Sequence, residues 1–174
     1  MPIQAISHHQ RPTRQTFIDL MSQRILVLDG AYGSAFQGYA LSEEAFRGRQ
    51  YADHDHPLQG NHDILNITQP GIVAEVHEGY LAAGCDIIST NTFNATAIAQ
   101  DDFGTQNVCF DINEQAAAIA RQGADAYSTI DKPRFVAGSI GPTNRTASIS
   151  PDVNRPEFRN VDFDQLCDAY VEAA

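Results

Sequence analysis

Three short apolar runs, each closed by a polar loop and separated by helix-forming stretches, limit what this chain can fold into. They are Arg24-Ile-Leu-Val-Leu-Asp29, Asp86-Ile-Ile-Ser89 and Arg134-Phe-Val-Ala-Gly138. Each is too short for a stable helix and apolar on successive residues, the pattern of a buried parallel strand. Between the second and third runs, Thr96 to Asp102 reads as a short helix broken by Gly104, and a longer helix runs from Val108 to Tyr127 on a stripe of Val108, Ile112, Ala116, Ile119 and Ala120. Ahead of the second run, Pro70 starts a helix where its missing N–H costs nothing. Ile72, Val76, Tyr80 and Ala83 give that helix its apolar face, and Gly84 ends it. Strand and helix in strict alternation argue for an α/β fold on a parallel sheet. A polar loop after every strand fits a (β/α) barrel, whose working face lies at the strand C-termini. A doubly wound sheet is the alternative. The turn Gly30-Ala-Tyr-Gly33 lacks the paired glycines that let a backbone approach a dinucleotide pyrophosphate.

Residues 34–69 show no sustained period and read as a short helix followed by an excursion over the surface. A last helix starts at Asp162, with Gln165 placed for a capping box. Phe163, Leu166, Tyr170, Val171 and Ala174 repeat along it with no stop signal before the end. Three strands cannot close a barrel of eight. The expectation is therefore the N-terminal part of a (β/α)8 barrel, about three βα units and incomplete. Residues 1–23 read as a flexible lead-in, and residues 24–174 as a partial barrel domain.

Net charge is −11, with 22 acidic and 11 basic side chains. That sign repels phosphate backbones, so nucleic acid is excluded as a partner. No apolar run is long enough to span a membrane, and the polar N-terminus lacks the apolar core of a secretory signal. Cys85, Cys109 and Cys167 stand far apart, an odd set that points to reduced thiols in a cytoplasm. They form no ligand pair. Cys85 falls before the second strand, on the side of a barrel away from its chemistry, and the other two fall on helices. His54 and His56, with His62 nearby, alternate with carboxylates and could hold a transition metal; a solvated polar loop is the commoner explanation. His77 falls on a helix and reads as partly exposed.

Gly138-Ser-Ile-Gly-Pro-Thr-Asn-Arg-Thr-Ala-Ser-Ile-Ser-Pro-Asp152 concentrates small and polar residues at a strand end, where α/β proteins bind ligands. Thr143, Asn144 and Arg145 there could cradle an anion. Together with Leu28-Asp-Gly-Ala-Tyr-Gly33, Gly60-Asn-His-Asp-Ile-Leu-Asn-Ile-Thr-Gln-Pro70 and Asp86-Ile-Ile-Ser-Thr-Asn-Thr-Phe-Asn-Ala-Thr96, this loop resembles the homocysteine-binding domain of cobalamin-dependent methionine synthases over residues 24 to 174. Betaine- and S-methylmethionine-dependent homocysteine methyltransferases share the first motif; the Gly138–Asp152 loop favours the methionine synthases.

The resemblance implies a (β/α)8 barrel that transfers a methyl group from methylcobalamin to homocysteine. It also implies a zinc ion on three cysteines that activates the substrate thiol, and separate downstream domains for methyltetrahydrofolate and cobalamin. By the same resemblance, homocysteine contacts fall on Asp29, Gly30, Thr90, Phe93, Ser139 and Ile140. The zinc cysteines would lie beyond Ala174, leaving this chain with no catalytic or metal-binding residue and inactive alone. A non-catalytic barrel fragment that needs a partner is a further reading. The sequence departs from the family at Ala31-Tyr32, which stand for Gly-Met or Gly-Phe, and at Ser89, which stands for Glu.

Overall fold

The computed structural model describes residues 11–174. The described residues contain eight α-helices: α1 (Arg14–Gln23), α2 (Tyr32–Gln37), α3 (Glu43–Arg47), α4 (Leu65–Thr68), α5 (Pro70–Ala83), α6 (Ala97–Gln100), α7 (Cys109–Tyr127) and α8 (Phe163–Ala173). Two strands, β1 (Ile87–Ser89) and β2 (Phe135–Ala137), pair in parallel with Ile88 opposite Val136. The crossover between them contains α6 and α7, the βαβ connection that a parallel pair requires.

The first apolar run joins this sheet only at its end. Leu28 bridges Ile87 in parallel, and the Asp29 N–H donates to the Ile87 carbonyl at 3.0 Å. The buried strand expected there is instead a sparsely paired edge: Ile25 is 88% exposed, and Val27 and Leu28 are more than half exposed. No described residue covers their outer side. An ion pair ties the run down, because both guanidinium nitrogens of Arg24 reach the carboxylate of Asp86, at 2.7 and 2.8 Å.

Helices α5 and α7 form the layer behind the sheet. On α5 the buried face is Val73, Val76, His77 and Leu81; Ala83 is exposed, so the stripe sits one position from the expected one. His77, expected to be partly exposed, is fully buried. On α7 the spacing holds, with Cys109, Ile112, Ala116, Ala120 and Ala124 buried. Alanines on that face let the two helices approach closely.

The excursion over residues 34–69 is not a surface loop. It supplies Phe36, Phe46, Leu58, Ile64 and Leu65 to the larger hydrophobic core, which Val73, Val76 and Ile112 complete. Its apolar residues carry no period because three very short helices and several turns deliver them, not one regular element. Helix α1 begins inside the expected lead-in. Thr13 and Thr16 form a reciprocal cap on α1, and Phe17 packs edge-on against Phe135 at 5.0 Å. Residues 1–10 lie outside the described residues. At the other end, α8 starts as expected, with Asp162 and Gln165 forming the capping box. Among the described residues no helix is long and apolar enough to cross a membrane.

Candidate functional site at the strand ends

The C-terminal ends of the three apolar runs meet around one cleft of about 310 Å³. The turn Ala31–Gly33 forms one wall. Ser89 to Asn94 form the floor and a second wall, Ser139 closes the third, and His62 and Asp63 enter from the segment before α4. Hydroxyl groups hold these loops together. The Thr90 N–H donates to the Ala137 carbonyl at 2.9 Å. The Ser139 N–H donates to Thr90 Oγ1 at 2.9 Å, and Thr92 Oγ1 donates to the Ser139 carbonyl at 2.8 Å. Both threonines are buried, so these bonds are shielded from competing water.

Asp29 is the hub of the first junction. Its Oδ2 accepts the Ser89 N–H at 2.7 Å and also the Tyr32 hydroxyl, while its Oδ1 accepts the Ser89 hydroxyl at 2.9 Å. A carboxylate offers about four acceptor sites, so these three donors leave one open, on Oδ1. Asp29 is half-buried. It does not itself line the cleft but bonds two residues that do, Tyr32 and Ser89.

The six residues expected to touch substrate therefore divide. Thr90, Phe93 and Ser139 line the cleft. Gly30 borders it through Ala31, with nothing within 4 Å of where a Cβ would stand. Asp29 sits behind the wall. Ile140 is 57% exposed and lies in an adjoining depression that shares Thr90 and Ser139 with the cleft. Phe93 is itself more than half exposed, which rules out core packing as its role. The third loop fixes it: the Gly141 N–H donates to the Phe93 carbonyl at 3.1 Å. A Cβ at position 141 would stand 2.2 Å from that carbonyl oxygen, so the contact requires glycine.

Sequence reasoning missed Asp63. It is 3% exposed, lines the cleft, and accepts the Asn94 N–H at 2.9 Å. Burial raises its pKa from 3.8 to about 6. The available signal was a charged residue inside the run His62-Asp-Ile-Leu-Asn66, whose neighbours Ile64, Leu65 and Asn66 are all buried.

The proposed anion cradle does not form. Arg145 pairs with Asp101 at 2.6 Å and Asp102 at 3.5 Å, Asn144 donates to Asp102, and Thr143 donates to the Arg145 carbonyl. Two carboxylates neutralise the one cation of that loop. Of the histidine cluster, His54 and His56 stay together, with ring centroids 5.9 Å apart, but His62 turns elsewhere. His54 Nε2 lies 2.7 Å from the Phe103 carbonyl, whereas the His62 ring packs against Phe36 and Phe46.

Zinc does not fit these side chains. Among the described residues no group of three His, Cys, Asp or Glu is placed to hold a metal. Cys85 and Cys109 are buried, and burial pushes both thiols up, Cys109 to about 12, away from the thiolate form a metal needs.

A homocysteine S-methyltransferase family model matches residues 26–174. Among solved structures, the homocysteine methyltransferase MmuM from Escherichia coli matches in its oxidised form with a TM-score of 0.54 and 22% identity, covering 71% of this chain and 39% of that one. Its metallated form matches with a TM-score of 0.54 and 21% identity, over 71% of this chain and 40% of that one. This chain thus spans about two-fifths of the length of those structures, and it shares their fold over most of its own. With nearly all its described residues inside the matched region, the chain belongs to the homocysteine S-methyltransferase family.

Proposed function

We propose that residues 24–174 are the first three βα units of a (β/α)8 barrel that binds homocysteine, in a methyltransferase of the methionine synthase type. One observation carries this reading: the first three strand ends, distant in sequence, are tied by direct hydrogen bonds around a single cleft sized for a small amino acid. The open acceptor site of Asp29 suits the substrate ammonium. Thr90, Phe93, Ser139 and Ile140 then frame the side chain.

This chain binds and orients substrate. The zinc that activates the thiol is assigned to cysteines outside residues 1–174, and cobalamin and folate to other domains. On this reading the isolated chain is inactive. The Gly138–Asp152 loop supports the methionine synthase type over the betaine and S-methylmethionine types.

The test joins this chain to the part of the barrel that carries the zinc cysteines and supplies homocysteine with either methylcobalamin or S-methylmethionine. Methionine formed from methylcobalamin alone is the expected result. Turnover with S-methylmethionine alone would move the protein to the other branch of the family. A zinc-loaded, folded protein that ignored homocysteine with both donors would overturn the proposal.

A further inference from the structure

Behind the cleft, Asp29 is the outer end of a chain of polar groups that runs from half-buried Asp29 and Tyr32 to fully buried His77. The Tyr32 hydroxyl lies 2.8 Å from Nδ1 of His77 and also bonds Asp29 Oδ2. A phenol has one proton and a carboxylate only accepts. Tyr32 therefore donates to Asp29 and accepts from the His77 Nδ1–H. That assignment leaves Nε2 of His77 bare, and Nε2 is indeed buried without a hydrogen-bond partner among the described residues. Burial lowers His77 to about pKa 4, which keeps the ring neutral around neutral pH. The ring is fully buried and meets Tyr32 edge-on at 5.4 Å, so the donor cannot swing away.

We propose that Tyr32 and His77 are positioning residues that aim the last open acceptor site of Asp29 at the ammonium of the substrate. The inference rests on the homocysteine reading and adds to it. Neither residue contacts substrate through its hydrogen-bonding atoms: the imidazole holds the phenol, and the phenol occupies Oδ2. With Ser89 supplying the other two donors, the carboxylate has one orientation and one vacancy. Removing the phenol hydroxyl leaves Oδ2 with the Ser89 N–H alone and opens a second acceptor site there, so the ammonium is no longer directed to one position. The loss should fall on recognition of the amine and spare recognition of the rest of the ligand.

Calorimetric titration of the chain with L-homocysteine and with 4-mercaptobutyrate, which keeps the thiol and carboxylate but lacks the amine, tests this. The unaltered chain should prefer homocysteine. Tyr32→Phe should lower homocysteine affinity roughly tenfold and leave 4-mercaptobutyrate unchanged, as expected for one misaligned charge-assisted bond. His77→Asn, whose amide nitrogen can stand where Nδ1 stood, should keep the preference. His77→Gln, which places its amide near the position of Nε2, should lose it. A Tyr32→Phe chain that retained the full preference would overturn the inference while leaving the homocysteine reading intact. An unaltered chain with no preference for the amine would overturn both. Nitrogen-15 shifts of the His77 ring give a readout independent of ligand: Nδ1–H supports the chain of bonds, and Nε2–H contradicts it.

Discussion

Ala31 holds the turn after the first apolar run at φ 54 and ψ 35, in the left-handed region. An L-residue pays about 1–2 kcal/mol there, which glycine avoids, less the greater freedom glycine has when unfolded. Ala31→Gly should therefore stabilise the chain by about 0.5–1 kcal/mol, read by urea denaturation. Asp63 carries the opposite kind of strain. Its folded pKa is raised, so the folded state binds more protons than the unfolded one between about pH 4 and 6, and stability falls as pH rises through that window. Asp63→Asn keeps an oxygen for the Asn94 N–H and removes the buried charge. It should stabilise the fold by about 3 kcal/mol at pH 7, with the gain gone by pH 4. His77 acts in the other direction: its folded pKa is depressed from 6.5 to about 4, so its contribution is complete above pH 6.5 and lost as pH falls toward 4. The two slopes oppose each other, and Asp63→Asn should expose a steeper loss of stability on the acid side. Sequence brought out Thr90, Phe93 and Ser139 because each stands in a motif at a strand end. The burial of His77 depends on what packs around it, which no local pattern reports, and Asp63 left only the signal of one carboxylate beside Ile64, Leu65 and Asn66.

Helices α5, α7 and α8 were legible because each repeats its apolar residues at helical spacing, and two of them carry caps: Gly84 at φ 105 for α5 and the Asp162 capping box for α8. The first apolar run misled because continuous hydrophobicity reports what a strand can bury, not what covers it. The polar brace between α4 and α6 left no such pattern. Gln100, fully buried, exchanges amide bonds with Asn61, at 2.7 and 3.2 Å, accepts the Thr105 hydroxyl at 2.7 Å and donates to the Asn94 carbonyl at 3.1 Å. It joins the segment before α4, the second loop of the cleft and the turn after α6. Gln100→Ala strands two buried partners, Asn61 and Thr105, each costing about 1–3 kcal/mol when unpaired. A loss of at least about 2 kcal/mol is expected in thermal unfolding, together with looser amide exchange protection at Asn94. A loss below about 1 kcal/mol would mean that water replaces the amide.

At the scale of the molecule, the sheet is small and open. Ile25, Val27 and Leu28 expose apolar side chains along one edge, where unpaired backbone groups invite another strand. The net charge of −11 opposes that contact between copies. Salt should therefore promote self-association. Ile25→Lys with Val27→Lys should suppress it in sedimentation velocity runs and leave the melting temperature nearly unchanged. The central claim is that three separate strand ends make one amino-acid site, and backbone amide NMR with L-homocysteine tests it most directly. Shifts should concentrate at Gly30, Thr90, Phe93, Ser139 and Ile140, with Tyr32 following. Saturating homocysteine that left those amides unmoved, or moved a set elsewhere on the molecule, would contradict it.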